Sequence, residues 1–239
     1  MEPDQTMTGT LYGVGLGPGD PDLMTLKAHR LISTADVIAY PTLAGAASFA
    51  RSIAEDIIPA RAHEIVMDIP MSVEREPAQQ AYDTGAAAIR EKLNNGQNVV
   101  VLCEGDPFFY GSFMYLFARL SADFQTEIVP GVTSMTACAA VQGLPLAARN
   151  EVLTVLPGPL DPKDLRARIL EADSVVIMKI GRHLAKVRRV IEDLDLSHQA
   201  FYTERATLAA EHAVPLAKAP DKAPYFSMIL LTKGTDPWL

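Results

Sequence analysis

From Asn98 the chain runs Val99-Val100-Val101-Leu102-Cys103 and passes directly into Glu104-Gly105-Asp106-Pro107-Phe108-Phe109-Tyr110-Gly111-Ser112. The first part is continuously apolar and β-branched, with no polar alternation, which suits a central strand covered on both faces. The second part then falls at the C-terminal end of that strand, where open α/β sheets place their ligands. Upstream, residues 76–94 read as a long amphipathic helix, and Asn95-Gly96 ends it as a left-handed cap does.

Working outward, apolar β-type runs alternate with helical periodicity, the pattern of parallel βα units, so the fold class is α/β. Towards the N-terminus, Thr10 to Leu16 reads as a strand, and Leu23, Leu26, Ala28, Leu31 and Ile32 follow at helical spacing. Residues 36–40 read as a strand, 46–56 as a helix and 64–67 as a short strand. Towards the C-terminus, 111–121 is a helix, 126–129 a strand and 132–141 a helix of small residues. Gln142-Gly143-Leu144-Pro145 breaks the periodicity, placing a domain boundary between residues 1–142 and 143–239. Beyond it, 151–156 reads as a strand, 161–171 as a helix with Pro162 in its first turn, 174–179 as a strand and 182–193 as a helix. Strands at 199–203, 207–213 and 225–231 lack a long helix between the last two, which predicts a mixed sheet with hairpins.

Of the 239 residues 49% are apolar, enough for a sizeable core without metals or disulfides. The two cysteines, Cys103 and Cys138, sit inside apolar segments and are expected to be reduced and buried. His29, His63, His198 and His212 show no ligand spacing, so no metal is expected. The formal net charge of −8 disfavours nucleic acid as a partner. The polar, acidic N-terminus and the lack of a long apolar run give no membrane segment or secretion signal, and a cytoplasmic location is expected.

Three loops carry chemistry. Gly13-x-Gly15-x-Gly17-Pro18-Gly19-Asp20-Pro21 joins a strand to a helix, where bare backbone either approaches a ligand or simply turns. Its spacing is not that of a dinucleotide fingerprint. Pro18 lacks an N–H, and no Lys-Ser/Thr follows as a P-loop needs. In Glu104 to Ser112, Asp106-Pro107 alone is a common turn, and Phe108, Phe109 and Tyr110 read by type as core. The hydroxyls of Val129-Pro130-Gly131-Val132-Thr133-Ser134 either cap the next helix or reach a ligand.

Taken together, in this order and at these intervals, the loops resemble those of the tetrapyrrole methyltransferases, the family of uroporphyrinogen and precorrin methylases. The likeness runs from about Thr10 to Lys233. It implies two α/β domains with S-adenosyl-L-methionine in the cleft between them, in a homodimer, and not a Rossmann-type methyltransferase; the product would be S-adenosyl-L-homocysteine. By motif match, Pro18, Gly105, Asp106, Pro107, Tyr110, Thr133 and Ser134 are expected to line the cofactor site. Met178 matches a strand-end methionine near the adenine, and Tyr202, Glu204 and Ala206 lie in a segment similar to the next contacting one. Ala39-Tyr40-Pro41-Thr42 departs from the Tyr-Asp of uroporphyrinogen methylases, and Pro224 to Leu231 looks like the branch acting at C20 of precorrin-2. The branch acting on cobalt-factor II shares both features.

Such a substrate carries many carboxylates and needs focused positive charge. One predicted helix offers Lys179, Arg182, His183, Lys186, Arg188 and Arg189, with Arg182, Lys186 and Arg189 on one face, which is either a substrate patch or a solvated surface. Arg149 and Arg205 are alternative partners. Met67, Met71, Met114, Met135 and Met228 read as core, with Met71 a candidate for facing the macrocycle. Rival readings are another methyl acceptor, such as uroporphyrinogen III, and a cofactor-binding carrier without turnover.

Overall fold

The computed structural model describes residues 8–43, 45–70 and 75–234. The chain divides into two units, Met1–Thr133 and Ser134–Leu239. In the first, β1 (Leu11–Gly15), α1 (Leu26–Ser33), β2 (Val37–Leu43), α2 (Phe49–Ile53), β3 (His63–Ile69), α3 (Glu76–Asn94), β4 (Val99–Cys103), α4 (Phe113–Leu120) and β5 (Thr126–Val129) follow in turn. The five strands pair in parallel in the order β3-β2-β4-β1-β5.

Strand alternation sends the side chains of β4 to opposite faces. Val99, Val101 and Cys103 join Tyr82, Ile89 and Leu93 of α3 and Phe113, Leu116 and Leu120 of α4. Val100 and Leu102 join Ala28 and Ile32 of α1 and Ala50 and Ile53 of α2. Burying each large side chain is worth about 1.5–3 kcal/mol, so a charge within β4 would be intolerable. The first polar residue, Glu104, comes one step after the strand ends.

The second unit holds α5 (Ser134–Gln142), β6 (Leu153–Pro157), α6 (Pro162–Glu171), β7 (Ser174–Met178), α7 (Leu184–Glu192), β8 (Ala200–Glu204), β9 (His212–Pro215) and β10 (Ser227–Thr232). Its sheet runs β6-β7-β10-β8-β9. β6 and β7 are parallel, while β10 is antiparallel to β7 and β8, and β8 to β9, so the sheet is mixed as expected. Residues from α6 and α7 cover one face and those of α5 the other.

Four expectations shift. The division falls at 133/134 instead of 142/143, because Ala137, Cys138 and Ala139 of α5 pack on Val176, Met228 and Leu230 of the second sheet. The helix expected over 46–56 is only α2: Ser48 Oγ accepts the Arg51 amide to start it, and a 3-10 turn follows at Glu55–Ile57. The strand expected from Thr207 begins at His212, since Thr207 has φ +70° and Leu208 and Glu211 close turns onto Arg205 and Leu208. The helix expected from Arg182 begins at Leu184, so Lys179 and Arg182 precede it and the three-residue basic face does not form on one helix. Among the methionines, Met67 and Met228 are core at 2% and 3% exposure, Met135 is partly buried, and Met114 is exposed. Met71 lies outside the described residues.

Candidate functional site: three strand-end loops

In the first unit the glycine-rich loops meet at the C-terminal edge of the sheet. Gly17 and Gly105 form a β-bridge, with the Gly105 amide donating to Gly17 O at 2.8 Å and the Gly17 amide to Gly105 O at 3.2 Å. A Cβ on Gly131 would lie 2.0 Å from Gly105 O, and one on Gly15 would lie 2.6 Å from Gly131 N. The glycines at 15 and 131 therefore let loops approach one another. Gly105 is different. Its φ is +64°, and a Cβ there would meet only Val132 O, at 3.9 Å. That face of the loop is open to a ligand edge.

Asp106 holds the arrangement. Its Oδ1 accepts the amides of Phe108 and Phe109 at 2.9 and 3.1 Å, and its Oδ2 accepts the Gly131 amide at 3.1 Å. Pro107 is buried, Pro18 is half-buried, and Thr133 and Ser134 are half-buried. Tyr110 takes φ +56° and is exposed, as is Phe108, so these two are not the core residues their type suggested. Phe108 lies edge-on to Phe117 at 5.2 Å and tilted against Phe113 at 6.0 Å.

Elsewhere in the first unit, a polar cluster ties β2, β3 and α2 together. Arg51 donates to both oxygens of Glu64, at 2.8 and 3.0 Å, and Tyr40 Oη donates to Glu64 Oε2 at 2.5 Å. The Arg51 bonds hold the Glu64 carboxyl below the usual carboxylate range against the opposing effect of burial. Burial and the Glu64 hydrogen bond raise Tyr40. Sequence reading missed this triad because the partners are separated along the chain; the unusual Tyr40-Pro41-Thr42 ending of β2 was its only trace.

In the second unit, Met178 ends β7, half-buried, opposite Met228 of β10. Tyr202 lies wholly inside the core at 0% exposure, which leaves it no surface for a ligand; its hydroxyl donates to Glu204. Burial comes first among the causes that raise the Tyr202 phenol. The reason is position: β8 lies between β10 and β9, and residue 202 faces the α6 and α7 side. Glu204 is half-buried and Ala206 buried.

The basic residues separate into two kinds. Lys186 Nζ donates to Leu160 O at 2.5 Å and Arg188 to Ala219 O and Pro220 O, so both brace the fold. Arg149, Arg182 and Arg205 are exposed, with Arg149 and Arg205 in left-handed backbone at φ +44° and +49°. No group of three His, Cys, Asp or Glu side chains suited to a metal ion occurs among the described residues. None of their helices is long and apolar enough to cross a membrane.

Comparison with known proteins places the chain. The family description "Tetrapyrrole (Corrin/Porphyrin) Methylases" matches residues 10–220, and the chain belongs to that family. It is 40% identical over 237 residues to the precorrin-2 C(20)-methyltransferase of a Sinorhizobium species, covering 95% of this chain and 97% of the relative. It is 30% identical over 231 residues to the cobalt-precorrin-2 C(20)-methyltransferase of Salmonella typhimurium, covering 95% and 98%. Among solved structures, a uroporphyrin-III C-methyltransferase from Thermus thermophilus, complexed with S-adenosylhomocysteine, is 26% identical with a TM-score of 0.63 over 93% of this chain and 97% of that one.

Proposed function

We propose that the chain is an S-adenosylmethionine-dependent C-methyltransferase acting at C20 of precorrin-2, giving precorrin-3A in cobalamin biosynthesis. The observation that carries this reading is the 40% identity, over 237 residues, to a relative with that printed activity. The lower identity of 30% to the cobalt-precorrin-2 relative supports the metal-free ring as substrate. A cytoplasmic homodimer is part of the proposal, on the strength of the family likeness.

The open face of Gly105, beside a loop braced by Asp106, fits a ligand that lies against bare backbone. The residues proposed for the cofactor are, in the first unit, Pro18, Gly105, Asp106, Pro107, Tyr110 and Thr133. In the second unit they are Ser134, Met178, Glu204 and Ala206, with Tyr202 holding Glu204 in place from the core. Once bound, the cofactor supplies an electrophilic methyl on a positively charged sulfur.

The protein's contribution is placement, which in well-oriented systems is worth about 7–11 kcal/mol. A carboxylate held against the sulfur would stabilise the ground state more than the transition state, because the positive charge fades as the methyl leaves. Both Asp106 oxygens already accept backbone amides, so Asp106 serves as a loop brace and not as a counter-ion. Arg149, Arg182 and Arg205 are proposed to meet the substrate carboxylates, and Lys186 to contribute charge while anchored to Leu160 O.

The test is incubation with labelled S-adenosylmethionine and either precorrin-2 or its cobalt-loaded form, with the product read by mass spectrometry. A label at C20, gained faster on the metal-free ring, is the expected result. Preference for the cobalt form would reassign the substrate, and binding without transfer would make the chain a carrier. Absence of calorimetric binding to S-adenosylhomocysteine would overturn the reading altogether.

A further inference from the structure

In α4, Phe113, Leu116 and Leu120 are buried in the core of the first sheet. At about 100° per residue, Met114, Tyr115 and Ala118 fall on the other side of the helix, and all three are exposed. Phe108, from the loop before α4, lies against Phe113 and Phe117 and extends the exposed side into a ridge. Phe108, Met114 and Tyr115 are 45%, 40% and 50% exposed. Side chains of this size offer about 150–250 Å² each, so the ridge presents about 300 Å² of apolar surface. Such a ridge on a soluble chain marks a contact surface.

Beside the ridge, α3 and α4 enclose a groove of about 540 Å³. Tyr115 stands at its rim against Tyr82, with ring centroids 5.0 Å apart, and Ala86 and Ala87 line it. Its charged lining is Asp83, Arg90, Glu91 and Arg119, two of each sign, which sum to zero. Arg119 is fixed by Asp83 at 2.6 Å and Tyr115 O at 2.8 Å, and Arg90 by Asp123 at 2.6 Å and Arg119 O at 3.0 Å. A neutral face on a chain of formal charge −8 is where a second copy meets least repulsion, whereas a strongly charged partner has no net charge here to recognise. A stable interface takes about 800 Å² from each partner, about 60% of it apolar. The ridge supplies more than half of that apolar part, and the alanines of the groove adjoin it.

We propose that this ridge and groove are the homodimer interface, paired about a two-fold axis so that the ridge of each chain enters the groove of the other. This rests on the homodimer part of the proposed function and names its face. The pairing reaches the cofactor loop through Phe108. Its ring belongs to the ridge, while its amide donates to Asp106 Oδ1 at 2.9 Å, and Asp106 Oδ2 accepts the Gly131 amide. Covering Phe108 therefore steadies the loop that carries Gly105, and by linkage dimerisation and cofactor binding strengthen each other.

The test is sedimentation velocity of the full chain, comparing wild type with the double variant Met114→Glu, Ala118→Glu and with Leu26→Glu on α1. The two-fold axis sets the introduced carboxylates of one chain close to those of the other, so the double variant should dissociate at least about 100-fold more readily. Leu26→Glu should remain dimeric. Calorimetry of the monomeric variant should show S-adenosylhomocysteine bound about tenfold more weakly. In the unaltered protein, hydrogen exchange at Phe108 and along α4 should slow as concentration rises through the dissociation range, a readout that needs no variant to fold. A dimeric double variant, or exchange there that ignores dissociation, would overturn the assignment of this face. A folded monomeric variant with wild-type affinity would overturn the link to the cofactor loop. Wild type that stays monomeric removes the homodimer reading and this interface with it, whereas the methyltransferase reading is decided separately by the labelled product.

Discussion

Asp106 accepts the Gly131 amide through Oδ2 at 3.1 Å, across 25 residues of chain, while its Oδ1 takes the amides of Phe108 and Phe109. One carboxylate thereby fixes the shape of its own loop and ties that loop to the one after β5. An amide in its place keeps a single acceptor and turns a donor towards the Gly131 N–H. Asp106→Asn is expected to cost about 2 kcal/mol of stability and to weaken S-adenosylhomocysteine binding, with kcat at saturation largely kept. Thermal denaturation and calorimetry check the first two effects. A maximal rate lowered by orders of magnitude at unchanged affinity would show that Asp106 acts on the chemistry itself.

Gly131 is expected to be intolerant of any side chain. Its Cβ would lie 2.0 Å from Gly105 O, backbone against backbone, with no flexible group to yield. Gly131→Ala should therefore lose about 3 kcal/mol or more and disrupt cofactor binding. Gly143→Ala is the control: φ there is +65° with nothing within 4 Å, so only the left-handed backbone penalty of about 1–2 kcal/mol applies. Urea denaturation of the two variants compares them directly.

The Arg51–Glu64 pair predicts an acid-dependent loss of stability. The folded pKa of Glu64 is lowered, first by its hydrogen bonds from Arg51, so the carboxylate stabilises the fold above its unfolded value of about 4.3. That contribution disappears as pH falls through the lower folded value. Both side chains are partly exposed, which limits the effect to about 1 kcal/mol. Glu64→Gln should flatten the acid side of a plot of urea midpoint against pH and lower Tm at pH 7 by about 2–4 °C.

Both thiols are expected to be silent in the native protein. Burial pushes Cys138 up to about 12 and raises Cys103 further, so neither forms thiolate near pH 8. A thiol-specific disulfide reagent should label neither at pH 8 and both in guanidinium chloride. Because the folded values are raised, the linked stability is present at neutral pH and declines as pH climbs above about 8.5. Rapid labelling of the native chain would show that one segment opens.

The helix over 76–94 was legible residue for residue. It begins with Pro77 in its first turn, buries Tyr82, Ala86, Ile89 and Leu93 on one side, and is followed by Gly96 at φ +76°. The strand at 126–129 was equally plain, and so was the start of α6 behind Asp161 and Pro162. The loops around Asp106 were legible as a motif, but their internal bonding was not. A turn signal does not say which distant amide its carboxylate will accept. Short elements fared worst. α2 owes its length to the Ser48 cap, and α7 starts at Leu184 because a 3-10 turn occupies Gly181–His183.

By itself the sequence determined the class of fold, the alternation of strand and helix, and the family, because periodicity and turn chemistry are local and are written in consecutive residues. Tertiary structure alone decided that Tyr202 is core, that Lys186 and Arg188 are braces, and that α5 belongs to the second unit. Those outcomes depend on which groups face one another across segments far apart in the chain. Burial, pairing and basicity are properties of that encounter and not of either segment alone.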